Sequence, residues 1–315
     1  MQRYIFFFEI KKKIWKLRKN TLYLQTKKSS YIKMVSEHRQ LQLKCLEIFD
    51  FVDNLCKIYN IQYSLCGGSV VGAYLYKGFI PWDDDIDLMM TRDNYNKFLK
   101  IINNNIPKGF SIINYQNSDY STTLNICFSK IINDNTTYVS KNGNVMGIFL
   151  DITVYDKVPN GPLKYIDLFL CKHILTINKG RTKEKGFRNR IRNILLYKFL
   201  TNRRKYLCYF QVIAEFLGKI SSHYTYRELF GAYHYYNMIP FAPTIFENYT
   251  TISFEGRTAM IVEDYIEYLE TRYNRTDFHE PVEKQIPPHY KYIDFKMPYK
   301  EYLAEKNNKN LKDSI

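Results

Sequence analysis

The chain has 315 residues, of which 45% are hydrophobic and 24% charged, so wholesale disorder is excluded and a core of ordinary size is available. The six cysteines and six histidines show neither CxxC nor HExxH spacing, which argues against a disulfide framework and a zinc site and for buried thiols in a reducing compartment. The formal net charge of +15 is uneven: residues 1–33 carry +9 and residues 160–227 carry +12, leaving the rest acidic, as expected if an anionic partner is held at the periphery rather than at the acidic middle.

Residues 1–33 combine a Phe triplet, Trp15 and basic residues. They read as a segment lying on an anionic bilayer, each Lys or Arg contributing about 1 kcal/mol, as a frayed basic tail, or as the result of a start codon assigned too early, with Met34 the real start. The short apolar run over 4–10 precedes its lysines, and no stretch reaches 18 apolar residues, so neither a signal peptide nor a spanning helix is expected. From Ser36 a helix is predicted to run to about Asn60, with Leu43, Leu46, Ile48, Phe49, Val52, Leu55 and Tyr59 on its apolar face.

The most informative stretch follows. Ile61 to Leu65 reads as a strand, Gly67-Gly68-Ser69 as a turn into a helix, and the turn leaves backbone N–H groups free to meet an anion. Asp83 to Asp87 contains four aspartates. Asp85 and Asp87 alternate with apolar residues running to Met90, so their carboxylates leave one face of a strand. Such crowding calls for a divalent cation. A helix is predicted over 93–102, a hairpin over 110–115 and 122–132, and a strand at Gly147-Ile148-Phe149-Leu150-Asp151-Ile152-Thr153-Val154, where a lone carboxylate would be costly to bury unpaired. Lys130 reads as a phosphate contact or a solvated strand-edge lysine. Residues 160–227 are basic and helix-prone, without a nucleic-acid recognition motif.

The glycine turn, the Asp-x-Asp strand and a later carboxylate resemble the DNA-polymerase-beta-like nucleotidyltransferase superfamily. The run Lys77-Gly78-Phe79-Ile80-Pro81-Trp82-Asp83-Asp84-Asp85-Ile86-Asp87 resembles, more narrowly, the LicD family of phosphotransferases, which includes the fukutin-related proteins. Leu41-Gln42-Leu43, the Asp151 strand with Asp156, Phe254-Glu255-Gly256, Asp264-Tyr265 and Tyr273 fall in the family's order, so the resemblance covers about residues 37–290. Tyr74-Leu75-Tyr76 departs from the family's V-R-H, and Tyr273 to Phe278 loosens its Y-G-D-Y-M; the lost arginine puts donor pyrophosphate contacts in question or moves them to Lys77.

The resemblance implies an α+β fold: a nucleotidyltransferase-like mixed β-sheet packed with helices, plus a basic helical segment. The expected organisation is a basic extension over 1–35, a catalytic core over 36–160, a basic helical insertion over 161–240 and a completing part over 241–315. The implied activity is transfer of a phosphoalkanol such as phosphocholine from a CDP-linked donor (CDP-choline or another CDP-alcohol) to a sugar hydroxyl of a cell-surface glycan or its lipid-linked precursor. In this reading Asp85, Asp87 and Asp151 bind Mg2+ or Mn2+ and carry catalysis, while Gly67, Gly68, Ser69, Lys77 and Lys130 hold donor phosphates. A cytoplasmic protein, peripheral on an anionic membrane surface, is expected, with nucleic acid disfavoured as a partner. The alternatives are nucleotidyl transfer to a small acceptor and a catalytically inactive membrane-peripheral scaffold.

Overall fold

The computed structural model describes residues 37–114, 129–170, 187, 203–228, 240–278 and 289–312. Two compact units divide the chain, Met1–Leu43 and Lys44–Ile315. Of the first, only residues 37–43 are described and they are helical, so the expectations for residues 1–33 lie outside the described residues.

Helix α1 spans 37–58. From Lys44 onward it buries Cys45, Leu46, Ile48, Phe49, Val52, Leu55 and Cys56, the three-and-four spacing of a helix face turned to a core. Leu43 and Tyr59, expected on that face, are exposed. Then come β1 (Ser64–Leu65), α2 (Gly67–Tyr76), β2 (Asp87–Thr91), α3 (Arg92–Asn105), β3 (Phe110–Ile113), β4 (Ser129–Ser140) and β5 (Val145–Pro159). The expected hairpin appears as the antiparallel pair β3 and β4, although its connection lies outside the described residues. Next are α4 (163–170), α5 (Arg203–Ile220), β6 (Tyr224–Glu228), the hairpin β7 (Tyr249–Phe254) and β8 (Arg257–Val262), α6 (Tyr265–Tyr273), β9 (Tyr290–Asp294) and α7 (Tyr299–Lys312).

β5 organises the sheet. Every residue in it except Lys157 is buried, as in a strand covered on both faces, although Asp151, Thr153 and Asp156 interrupt its apolar sequence. It pairs parallel with β2 and antiparallel with β4 in the order β1-β2-β5-β4-β3. Tyr155 pairs with both Thr91 and Glu228, so β6 lies on the edge opposite β2 and continues the one β4 leaves at Ile152. β9 likewise extends the β3 edge by pairing with β4 over 137–140. The fold is therefore α+β with a mixed sheet, as expected. The stretches 161–240 and 241–315, expected as an insertion and a completing part, each contribute a strand to the core sheet.

The β7–β8 hairpin turns at Glu255 and Gly256, with φ of 52° and 72°, the paired positive values of a tight two-residue turn. Its turn holds the segment ahead of β2: Glu255 donates its N–H to the Lys77 carbonyl at 2.8 Å and accepts the Phe79 N–H at 3.2 Å. Gly72 lets that segment close against α2, since a Cβ there would stand 2.5 Å from the Gly78 carbonyl oxygen.

Candidate active site

The acidic run enters the sheet at Asp87, the first residue of β2. Asp85 precedes the strand proper, in extended but unladdered chain, yet keeps the alternation expected of it: Ile86 between the two aspartates is fully buried, while they are only partly so. In the parallel ladder Asp87 stands opposite Asp151, and the Asp151 N–H donates to the Ile86 carbonyl at 3.0 Å. The three carboxylates each offer an oxygen within 4.8 Å of the others. Burial, with Asp151 and Asp83 nearby, pushes the Asp87 carboxyl up to about 7, partly offset by Arg272 and Lys130. Burial and its four acidic neighbours raise Asp85 well above the usual carboxylate range. A convergent set of hard oxygen donors whose charges repel is the donor chemistry that fits a divalent cation such as Mg2+ or Mn2+.

The glycine turn is fastened to the same strand. Ser69 Oγ accepts the Asp87 N–H at 2.9 Å, and the Cys66 N–H donates to the Asp87 carbonyl at 2.9 Å. The start of α2 and the carboxylates thus share one residue's backbone as anchor. Gly67 takes a φ of 52°, which favours glycine, and a Cβ on Gly68 would come within 2.9 Å of Asp83 Oδ2. The first turn of α2 carries no acidic residue, which leaves its positive dipole end unopposed from within the helix.

Lys130 is neither solvated nor facing open space. From β4, where it is the register partner of Asp151, it donates to Asp151 Oδ1 at 2.5 Å and Oδ2 at 2.7 Å, with its ammonium 3.6 Å from the centre of the Phe149 ring. Lys77 is not brought to the cluster. It ends α2 in a left-handed conformation with its ammonium 3.4 Å from the Tyr74 carbonyl, ten helical residues or about 15 Å of helix from the glycine turn.

The cation at the turn is one the sequence reading did not single out. Arg272, next to Tyr273 in the loosened closing word, lies with its Nε 3.5 Å from where a Gly67 Cβ would be. Its Nη1 donates to Tyr155 Oη at 3.0 Å and to Glu228. Tyr268 links the assembly to the turn by accepting the Gly67 N–H at 3.1 Å, and lies 3.2 Å from Tyr155 Oη. Adjacency to a motif word was the only local signal for Arg272; Tyr268 falls, with Leu269, among the closing words of the family resemblance, whereas nothing in the sequence marks Tyr155 or Glu228.

The other aspartates divide by role. Asp84 is buried and fixed by Tyr138 Oη at 3.1 Å and by the His289 N–H at 3.2 Å and Nδ1 at 3.0 Å, a structural tie. Asp83 is raised to about 6, first by burial and then by Asp84, with His289 acting the other way. Asp156 serves away from the cluster: burial alone would raise it, but a two-bond pairing with Arg92 at 2.7 and 2.9 Å holds it below the usual range. Of the cysteines, Cys45, Cys56 and Cys66 are buried free thiols and Cys208 is a partly exposed one; Cys127 and Cys171 lie outside the described residues.

Comparison with known proteins agrees with this geometry. The sequence model of the family described as "LicD/FKTN/FKRP, nucleotidyltransferase domain" matches residues 60–158, which contain the turn and all three clustered aspartates. Over 267 residues, 80% of this chain and 95% of the relative, the chain is 30% identical to lipopolysaccharide cholinephosphotransferase LicD of Haemophilus influenzae (strain ATCC 51907 / DSM 11121 / KW20 / Rd). The chain belongs to the LicD family. In this LicD family member the matched segment ends at Val158, so Arg272 and the strand carrying Glu228 come from beyond it.

Proposed function

We propose that this LicD family member is a metal-dependent phosphotransferase that moves a phosphoalkanol, phosphocholine or a close analogue, from a CDP-linked donor to a sugar hydroxyl of a cell-surface glycan or its lipid-linked precursor. The observation that carries the reading is the register pairing of Asp87 with Asp151 beside a glycine turn fastened to the Asp87 backbone. The relative's name, a lipopolysaccharide cholinephosphotransferase, supports the choice of alcohol and acceptor class.

Asp85, Asp87 and Asp151 hold the cation, Mg2+ or Mn2+. Once bound, it neutralises charge on the donor pyrophosphate and on the oxygens that exchange in the transfer. The chain's own groups do the rest. The backbone at Gly67, Gly68 and Ser69 receives phosphate oxygens at the positive end of α2. Arg272 adds a guanidinium whose fork suits a phosphate and whose direction is fixed by Tyr155 and Glu228. Lys130 orients Asp151 and offsets part of the burial that raises its carboxyl, acting on the donor through that carboxylate rather than by touching phosphate. These groups together hold the donor phosphorus in line with an incoming hydroxyl.

The test is incubation with a panel of CDP-alcohols, Mg2+ and a glycan acceptor, following CMP. Release of CMP with the phosphoalkanol on the acceptor is expected, and its loss in Asp85→Ala, Asp87→Ala and Asp151→Ala. CMP retained on the product would establish nucleotidyl transfer instead; a folded, cation-binding protein that releases nothing would establish a scaffold.

A further inference from the structure

Helix α5 presents two unlike faces. Toward the sheet it buries Gln211, Ala214 and Leu217, and Gly218 lets it settle on β5, since a Cβ there would stand 2.6 Å from the Lys157 carbonyl oxygen. Ala214 and Leu217 join Leu170 of α4 in a small core against which Leu163 and Ile213 pack. The outer face is apolar where a surface helix is ordinarily polar: Val212, Phe216 and Ile220 are 65%, 59% and 54% exposed. At 3.6 residues per turn these three fall with Lys205 and Lys219 inside an arc of about 100°, so the apolar row carries an exposed lysine near each end. Tyr165 and Ile166 of α4 add 75% and 49% exposed apolar side chains in the same part of the chain.

We infer that the outer face of α5 lies in the interface of an anionic lipid bilayer, with Val212, Phe216 and Ile220 among the acyl chains and Lys205 and Lys219 reaching back to the headgroups. Two independent features select this occupant. An apolar row bordered by lysines is the pattern of a helix lying in a membrane surface, because the lysine stems follow the apolar layer while their ammonium groups stay in water. Residues 160–227 carry +12 in sequence, the sign that complements a negative surface, and the exposed Lys205 and Lys219 on this face would each add attraction within a Debye length. A membrane position would also bring a lipid-linked acceptor to the enzyme, but the inference rests on the outer face of α5 and the charge of residues 160–227 and stands whether or not the proposed transfer is correct.

The test is flotation of the full chain with vesicles of phosphatidylglycerol and phosphatidylcholine, and with phosphatidylcholine alone. Binding is expected to the first and weak on the second. The pair Val212→Ser and Phe216→Ser should lower partitioning by about tenfold or more without changing the melting temperature, since both side chains are already exposed. A second variant, Phe216→Trp, keeps the inference falsifiable if the serine pair fails to fold: the emission that the new indole adds to the parent spectrum should shift to the blue on adding anionic vesicles and be quenched by brominated acyl chains. Unaltered binding of the serine pair, or an unshifted emission from the new indole while the protein floats, would overturn it and place lipid contact elsewhere, as on residues 1–33. Added emission already blue without lipid, or a dimer that the serine pair dissociates, would show the face covered by protein and overturn it equally.

Discussion

Lys130 and Asp151 are register partners on adjacent antiparallel strands, and the lysine ammonium meets both oxygens of the aspartate at 2.5 and 2.7 Å. Asp151 therefore has an attractive cation on one side, from β4, and the repelling carboxylate of Asp87 on the other, from β2. Burial raises the Asp151 carboxyl above the usual carboxylate range, and Lys130 offsets part of that rise by favouring its charged form. With side chains only 11% and 12% exposed, neither partner is easily compensated by water.

Lys130→Met should therefore destabilise the metal-free protein by about 3–5 kcal/mol, the usual consequence of leaving a buried charge without its partner. Added Mg2+ should raise the melting temperature of the variant more than that of the parent, because the cation then supplies the missing positive charge. Equal metal-induced shifts in thermal denaturation would show that Lys130 and the cation do not act on the same carboxylate.

Removal of the metal should leave a protein whose stability increases as pH falls. The folded Asp87 and Asp83 carboxyls stand at about 7 and about 6, above the unfolded value near 3.9. Each thus contributes stability that is fully present below the unfolded value and is lost as pH rises through the folded one. The metal-free melting temperature should accordingly fall between about pH 4 and pH 7, whereas the increment from added Mg2+ or Mn2+ should grow over the same range as protons cease to compete. Melting curves with and without chelator across that range decide the matter, and an increment independent of pH would contradict it.

Asp156→Asn should separate structure from site. Its pairing with Arg92 is buried and lies beyond the cluster, so breaking it should cost about 3–5 kcal/mol while the metal-induced rise in melting temperature survives. The parent's depressed Asp156 carboxyl contributes stability present above the unfolded value and lost as pH falls through the lower folded one. Loss of metal response in a folded Asp156→Asn protein would mean the two regions are coupled.

Gly72→Ala should lower the melting temperature by the equivalent of about 1–3 kcal/mol, since the new methyl would meet the Gly78 carbonyl oxygen at 2.5 Å and the Ile80 nitrogen at 3.0 Å, both backbone. Displacing that segment shifts the aspartates that follow it, so metal affinity should weaken although Gly72 touches none of them. Calorimetric titration with Mn2+ measures this, and parent-like affinity would show that the segment yields without moving the carboxylates.

Local chemistry was legible in the amino-acid order. Glycines before a run of small residues produced the turn and α2, alternation carried Asp85 and Asp87 to one side, and apolar character marked the strand around Asp151. Each depends on a few consecutive residues, whose φ/ψ preferences and periodicity act at short range. Tertiary structure alone decided what those pieces meet. It set Asp151 in register with Asp87, turned Lys130 onto Asp151 rather than toward solvent, left Lys77 at the far end of α2, and brought Arg272 to Gly67 from the C-terminal part of the chain. Strand register and the docking of α6 follow from burying apolar faces across long loops, a condition satisfied by the whole core at once and written in no single stretch of residues.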